Sequence, residues 1–277
     1  MTIQVRNNCF KAEIAIAAAA AVVAVVAAWK IFPAYPEAGA EAVRRSQGIV
    51  QGFFSGFIKA APYVPFVTTL AAVGCSLVSV ILIYHSFEKT QSQEILYISL
   101  FAFSLAFECV RLMVPLKIEM ELSNVYLVMS TRALVFGRYF GLFSLFAASV
   151  CAAGLETQKQ QNIVFIIIAA ALIIAGGIPI DGLSWDSSLK MLLGYSSMLV
   201  MIEWGILLIT AISFIVSSFT RSAKEYIFIA AGSVLVYLGR NILLNSDTWV
   251  TPALGLLFLG AGTWLICTKL HKVYLWL

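Results

Sequence analysis

Eight stretches of this chain, roughly 14–32, 63–84, 95–114, 124–153, 162–180, 191–217, 226–244 and 250–268, stay apolar for the length of a membrane-crossing helix. A bilayer core of about 30 Å needs about 20 apolar residues in a helix. Inside hydrocarbon every backbone N–H and C=O has to be satisfied, which leaves helices as the structure open to such runs. The pattern predicts an all-α fold: a polytopic transmembrane helical bundle of about eight spanning helices, forming one integral-membrane domain over 1–277. Hydrophobic residues are 61% of the chain and charged residues 12%, against about 45–50% and about 25% in soluble domains. No stretch is polar enough for a soluble kinase, cyclase or DNA-binding head within these residues, and no nucleic-acid partner is expected.

The first stretch has a second reading. Arg6 and Lys11, the run AIAAAAAVVAVVAA and then Ala38-Gly39-Ala40 resemble the parts of a secretory signal peptide. The run is longer than a usual signal core and the A-x-A lies several residues beyond it, so a retained helix of small residues is expected. Cleavage would leave seven spans. The connection from Pro33 to Pro62 places Val43, Ile49, Val50, Phe53, Phe54, Phe57 and Ile58 on one half of a helix and Arg44, Arg45 and Lys59 on the other. An amphipathic interfacial helix is expected there, in contact with membrane lipids. Its Gly48, Gly52 and Gly56 ridge could instead receive a protein partner.

Orientation follows from Lys and Arg placement. With the N-terminus inside, the inner segments carry Arg6, Lys11, Lys89, Lys159, Arg221, Lys224, Lys269 and Lys272, while the short outer loops carry Lys117 and Lys190. The positive-inside rule then puts both termini in the cytoplasm, and the plasma (inner) membrane is the expected location. A reporter active only in the cytoplasm should therefore work after Leu277 and in the 219–225 loop, and be silent in the 181–190 loop. Reversed signals at two of these sites would overturn the orientation.

The third and seventh stretches share a pattern, with Tyr97, Ser104 and Arg111 matching Tyr226, Ser233 and Arg240 in an ungapped alignment. Tandem four-helix halves, 1–155 and 156–277, would make the two arginines equivalent.

Six charges fall within the apolar stretches at one expected depth: Glu108, Arg111, Arg132, Arg138, Glu203 and Arg240. Intramembrane charges are costly, so they face a protein interior and have partners. Glu108 and Arg111, three residues apart, lie on one helical face. Four arginines against two glutamates leave positive charge to be met by backbone carbonyls, by headgroups at helix ends or by an anionic ligand suited to the guanidinium fork. Gly137 and Gly141 read as a packing seam, and Gly176-Gly177 before Pro179 as a helix end.

Cys9, Cys75, Cys109, Cys151 and Cys267 are scattered without a C-x-x-C, and His85 and His271 sit at helix ends. No disulfide framework, metal site, cofactor or catalytic set is expected from them. The sequence thus points to a non-enzymatic ligand-sensing or complex-assembly subunit with an outward-facing Arg/Glu site for an anionic small molecule or lipid headgroup. Its protein partner would sit at the cytoplasmic loops or on the glycine ridge. The alternative is a transporter or lipid-handling permease.

Overall fold

The computed structural model describes residues 3–32, 63–88, 90, 92–154, 160–180, 185–186, 188–246 and 248–275. Among them the chain is all-helical, with 86% helix and no strands. The helices are α1 (Ile3–Ile31), α2 (Val64–Phe87), α3 (Glu94–Met120), α4 (Asn124–Ala152), α5 (Gln160–Gly177), α6 (Ser196–Thr220), α7 (Glu225–Leu244) and α8 (Val250–Leu275). Seven of them are long and apolar enough to cross a membrane; α5 is the shorter apolar helix left over. The chain leaves the helix at Gly177, ahead of Pro179, where two glycines weaken the helix and proline cannot continue it. The interfacial helix expected between 33 and 62, with its glycine ridge, lies outside the described residues.

Central and peripheral helices are told apart by burial. The apolar windows of α3 and α4 are 72% buried inside the protein, whereas those of α1, α6 and α8 are 22–28% buried. Short connections make successive helices antiparallel. At one end of the bundle Ser188 and Lys190, just before α6, meet Arg111 of α3 and the C-terminal end of α7 at Leu244 and Asn245; at the other, Arg221 of the α6–α7 turn meets Glu94 at the start of α3 and, through it, Tyr274 near the end of α8.

Two starts differ from the sequence reading. α1 begins at Ile3 rather than near residue 14, so Arg6 and Glu13 are inside the bundle, each 5% exposed. Arg6 donates to the carbonyls of Phe87 (2.9 Å), Glu88 (3.2 Å) and Thr90, and so holds α1 against the α2–α3 turn. α6 begins at Ser196 rather than 191, because the preceding residues form a tight turn. There Trp185 pairs with Met191, Asp186 N donates to Lys190 O at 2.7 Å, and Leu189 and Tyr195 take left-handed backbone angles that end regular structure.

Within α3 the residues Leu105–Leu112 wind as a 3₁₀ helix. Pro115, three residues on, has no N–H to offer the carbonyl of Arg111, which removes the bond that an α-helix would make there. The tighter winding brings Met113 N to both Val110 O and Arg111 O.

α7 and α8 form the closest pair. Gly232 and Gly239 on one, and Gly255 and Gly262 on the other, recur at seven residues and share a face. A Cβ on Gly239 would lie 2.6 Å from Leu259 N and 2.8 Å from Gly255 O, so the two backbones touch. Gly137 and Gly141 also form the seam expected of them: a Cβ at 137 would meet Phe107, and one at 141 would meet Ser104 and lie 2.8 Å from Arg240 Nη1.

Candidate functional site

Five of the six charged residues come together, from α3, α4, α6 and α7. Arg240 Nη2 donates to Glu108 Oε1 at 3.2 Å, and Arg240 Nη1 reaches Ser104 Oγ (3.2 Å) and Arg138 O (3.4 Å). The Glu108 and Arg240 side chains are 1% and 5% exposed. Arg138 Nη2 donates to Glu203 Oε2 at 3.1 Å, and Tyr237 Oη donates to the same oxygen at 2.7 Å. Arg132 is not brought in. It is exposed on α4, because six residues of α-helix turn it about 120° away from Arg138.

The Glu108–Arg111 spacing does not translate into a pair. Arg111 instead donates to Ser188 O through Nε (3.1 Å) and Nη2, and lies 3.5 Å from Leu244 O at the C-terminal end of α7. Carbonyls at a helix C-terminus carry partial negative charge, which suits a guanidinium. The space among Ala72, Leu105, Glu108, Arg111 and Arg240 does not admit a water molecule. This half of the network is dry and closed.

The other half opens into a cavity of about 400 Å³ between α4, α6, α7 and the turn before α6. Arg138, Glu203, Tyr237 and Asn241 line one side; Asp186 and Lys190 line the turn above, and Asn245, Ser196, Tyr139 and Trp204 complete the polar and aromatic wall. Lys190 Nζ donates to Asn245 Oδ1. Desolvation, and then the positive fields of Arg138 and Arg111, push the Lys190 ammonium down to about 8, against the pull of Asp186 and Glu108. Of these residues, Asp186, Lys190, Asn241, Asn245 and Tyr237 carried no signal in the sequence reading. In the sequence Lys190 reads only as a loop charge beside an apolar stretch that begins at 191. One helical turn beyond Arg138 and Glu203, Leu142 and Leu207 pack with Tyr237.

A second ion pair, between a buried glutamate and a half-buried arginine, lies at the opposite end of the bundle and is not evident from the sequence. Arg221 Nη1 is 3.2 Å from Glu94 Oε1 and 3.0 Å from Tyr226 Oη, while Tyr274 and Ser92 donate to Glu94 Oε2. It ties α3, α7 and α8 to the α6–α7 turn. The only sequence clue was an acid at the start of an apolar helix opposite a loop arginine. The positions matched in the proposed repeat are equally buried, with Arg111 and Arg240 2% and 4% exposed, but the two arginines have different partners. Among the described residues no group of three or more His, Cys, Asp or Glu is placed to hold a metal ion.

No family model matches the chain, and no solved structure matches it. An uncharacterized protein of Treponema pallidum (strain Nichols) is 23% identical over 261 residues, a similarity that covers 76% of each chain. Seven apolar helices of spanning length make this a helical membrane protein.

Proposed function

We propose that the protein is a non-enzymatic membrane subunit that binds a small anionic group, a carboxylate, a phosphate or a lipid headgroup, in the Arg138–Lys190 cavity, and that it senses this ligand or assembles with a partner in response. The observation that carries the reading is the convergence of Arg138, Lys190, Asn241 and Asn245 on one cavity of about 400 Å³. Arg138 is 21% exposed at its side chain, so part of its fork faces the opening. An anion placed between Arg138 and Lys190 would relieve the repulsion that lowers the lysine's proton affinity.

A binding role is favoured over transport by the packing next to the cavity, where Leu142, Leu207 and Tyr237 form an apolar cluster one turn beyond the Arg138–Glu203 pair, and by the Glu94–Arg221 pair, which fastens the helices at the opposite end. By the Lys and Arg bias the cavity faces outward. A signal would pass to a partner at the short loop around Arg221 or at the basic stretch Lys269–Lys272. Uptake of a labelled anion into vesicles carrying the protein would replace this reading with a permease.

The test is thermal unfolding of the purified protein with acetate, sulfate or a short-chain alkyl phosphate, since a ligand for the folded form raises its stability by mass action. Lys190→Gln should weaken the response about tenfold, the loss of one charge-assisted hydrogen bond. Acetate and sulfate keep their charge above about pH 6, so their binding should fall as pH rises through about 8, where Lys190 loses its proton. Stability of the empty protein should move the other way. An unfolded lysine holds its proton up to 10.5, so between about 8 and 10.5 the unfolded state binds more protons and stability rises with pH. If no anion stabilises the wild type, or if Lys190→Gln responds like the wild type, the anion reading fails.

A further inference from the structure

A second, larger hollow has no part in the charged network. It is a groove of about 540 Å³ between α2 and α8, walled by Cys75, Val78, Leu82, Leu259, Thr263 and Trp264 and floored by Leu105 of α3. Three features define its occupant. The first is length. Its walls run from Cys75 to Ser86 on α2 and from Leu259 to His271 on α8, about 16 and 18 Å at helical rise. A single leaflet is about 15 Å deep, so the groove spans one leaflet and stops near the middle of the bundle.

The second is a gradient of polarity. The deep end holds Cys75, Leu105, Leu259 and Gly260, and the shallow end holds Ser86, Thr268 and His271. The third is charge. His85, His271 and Lys272 are exposed at the shallow end. Of the acids at this end, Glu88 is engaged by Tyr84 (3.4 Å), whose ring packs on Phe10 of α1, away from α8, and Glu94 is paired with Arg221.

We infer that the groove between α2 and α8 holds an acyl chain of an anionic phospholipid, with the chain lying along Leu82, Cys75 and Gly260 and the phosphate at His271 and Lys272. A single apolar chain fits a slot closed at its deep end, whereas a transmembrane helix from another protein would need a face running through both leaflets. The basic rim selects a negative headgroup. On the positive-inside orientation this is the cytoplasmic leaflet, where anionic lipids draw basic juxtamembrane residues.

Gly260 supplies the test. A Cβ built there meets nothing within 4 Å, so a side chain can leave the backbone at this position, and Gly260→Leu places its branch in the groove. Gly205 on α6 is also open and exposed but lies outside the groove, and Gly205→Leu is the control. The full chain is reconstituted in phosphatidylcholine vesicles doped with phosphatidylglycerol that carries a photoreactive diazirine at the end of one acyl chain. Crosslinks should concentrate on the peptides around Cys75 and Gly260. Gly260→Leu should reduce them about tenfold, as expected when the space for a few methylenes is filled, and Gly205→Leu should leave them unchanged. The same photoreactive group on phosphatidylcholine should label these peptides several-fold less, and Lys272→Glu should erase that difference. Labelling spread evenly over the exposed faces of α2, α6 and α8 would overturn the inference, as would equal labelling of wild type and Gly260→Leu. A Gly260→Leu variant that loses a dimer while keeping its crosslinks would assign the groove to a second copy of the chain, and that also overturns it. Should Gly260→Leu fail to fold, the wild-type crosslink map and the comparison of the two lipids decide the matter.

Discussion

Glu108→Gln should reduce the stability of the folded protein by about 3–5 kcal/mol, because it strands the Arg240 guanidinium in a closed part of the membrane interior. The pair is 3.2 Å apart with side chains 1% and 5% exposed, and the space around it has no room for a rescuing water. Arg240→Gln should cost a similar amount by stranding the carboxylate. The double variant Glu108→Gln, Arg240→Gln should recover much of the loss, since two amides can bond to each other and no net charge remains buried. Adding Arg111→Gln to Glu108→Gln should recover nothing, because Arg111 is held by carbonyls of Ser188 and Leu244. The measurement is reversible unfolding in detergent, read as a double-mutant cycle. Additivity between 108 and 240 together with coupling between 108 and 111 would refute the pairing.

Gly239→Ala should also be severe, for a steric rather than an electrostatic reason. Its methyl group would meet Leu259 N at 2.6 Å and Gly255 O at 2.8 Å, both main-chain atoms that cannot turn aside. α7 and α8 would have to separate along the whole glycine-lined face. Overpacking of this kind costs about 1–3 kcal/mol and more when backbone has to move. Gly205→Ala, where the methyl meets nothing, should be close to neutral in the same unfolding assay. Equal effects at 239 and 205 would mean that the glycine face of α7 is not a contact.

The apolar stretches were legible because membrane depth fixes their length, and most helix ends were placed to within a few residues. The charged residues worth watching were legible too, since an arginine or glutamate in a run of Leu, Phe and Val has few reasons to be there. Their partners were not. Spacing within one helix made Glu108 and Arg111 neighbours, yet the arginine opposite Glu108 comes from α7, far along the chain. A surplus of two arginines looked like a missing anion because sequence does not show backbone carbonyls as acceptors, and Arg111 takes two of them. Arg132 has the right depth and the wrong rotation. The upper wall of the cavity was hidden for another reason: the residues just after Lys190 are apolar enough to read as the start of a helix, while the Trp185–Met191 pairing folds them into a turn.

The grip of Arg111 on Ser188 has a consequence for how a guest would enter. The turn that carries Lys190 and Asp186 is irregular, and such segments ordinarily wander before a ligand fixes them. Here, lifting the turn would take the Ser188 carbonyl away from a guanidinium that is 2% exposed, leaving a buried cation with fewer acceptors. The cation on α3 therefore keeps the rim in its working shape while the cavity is empty. The proposed anion would then meet a rim already in place, and the ordering entropy of its association would fall on the anion rather than on the rim.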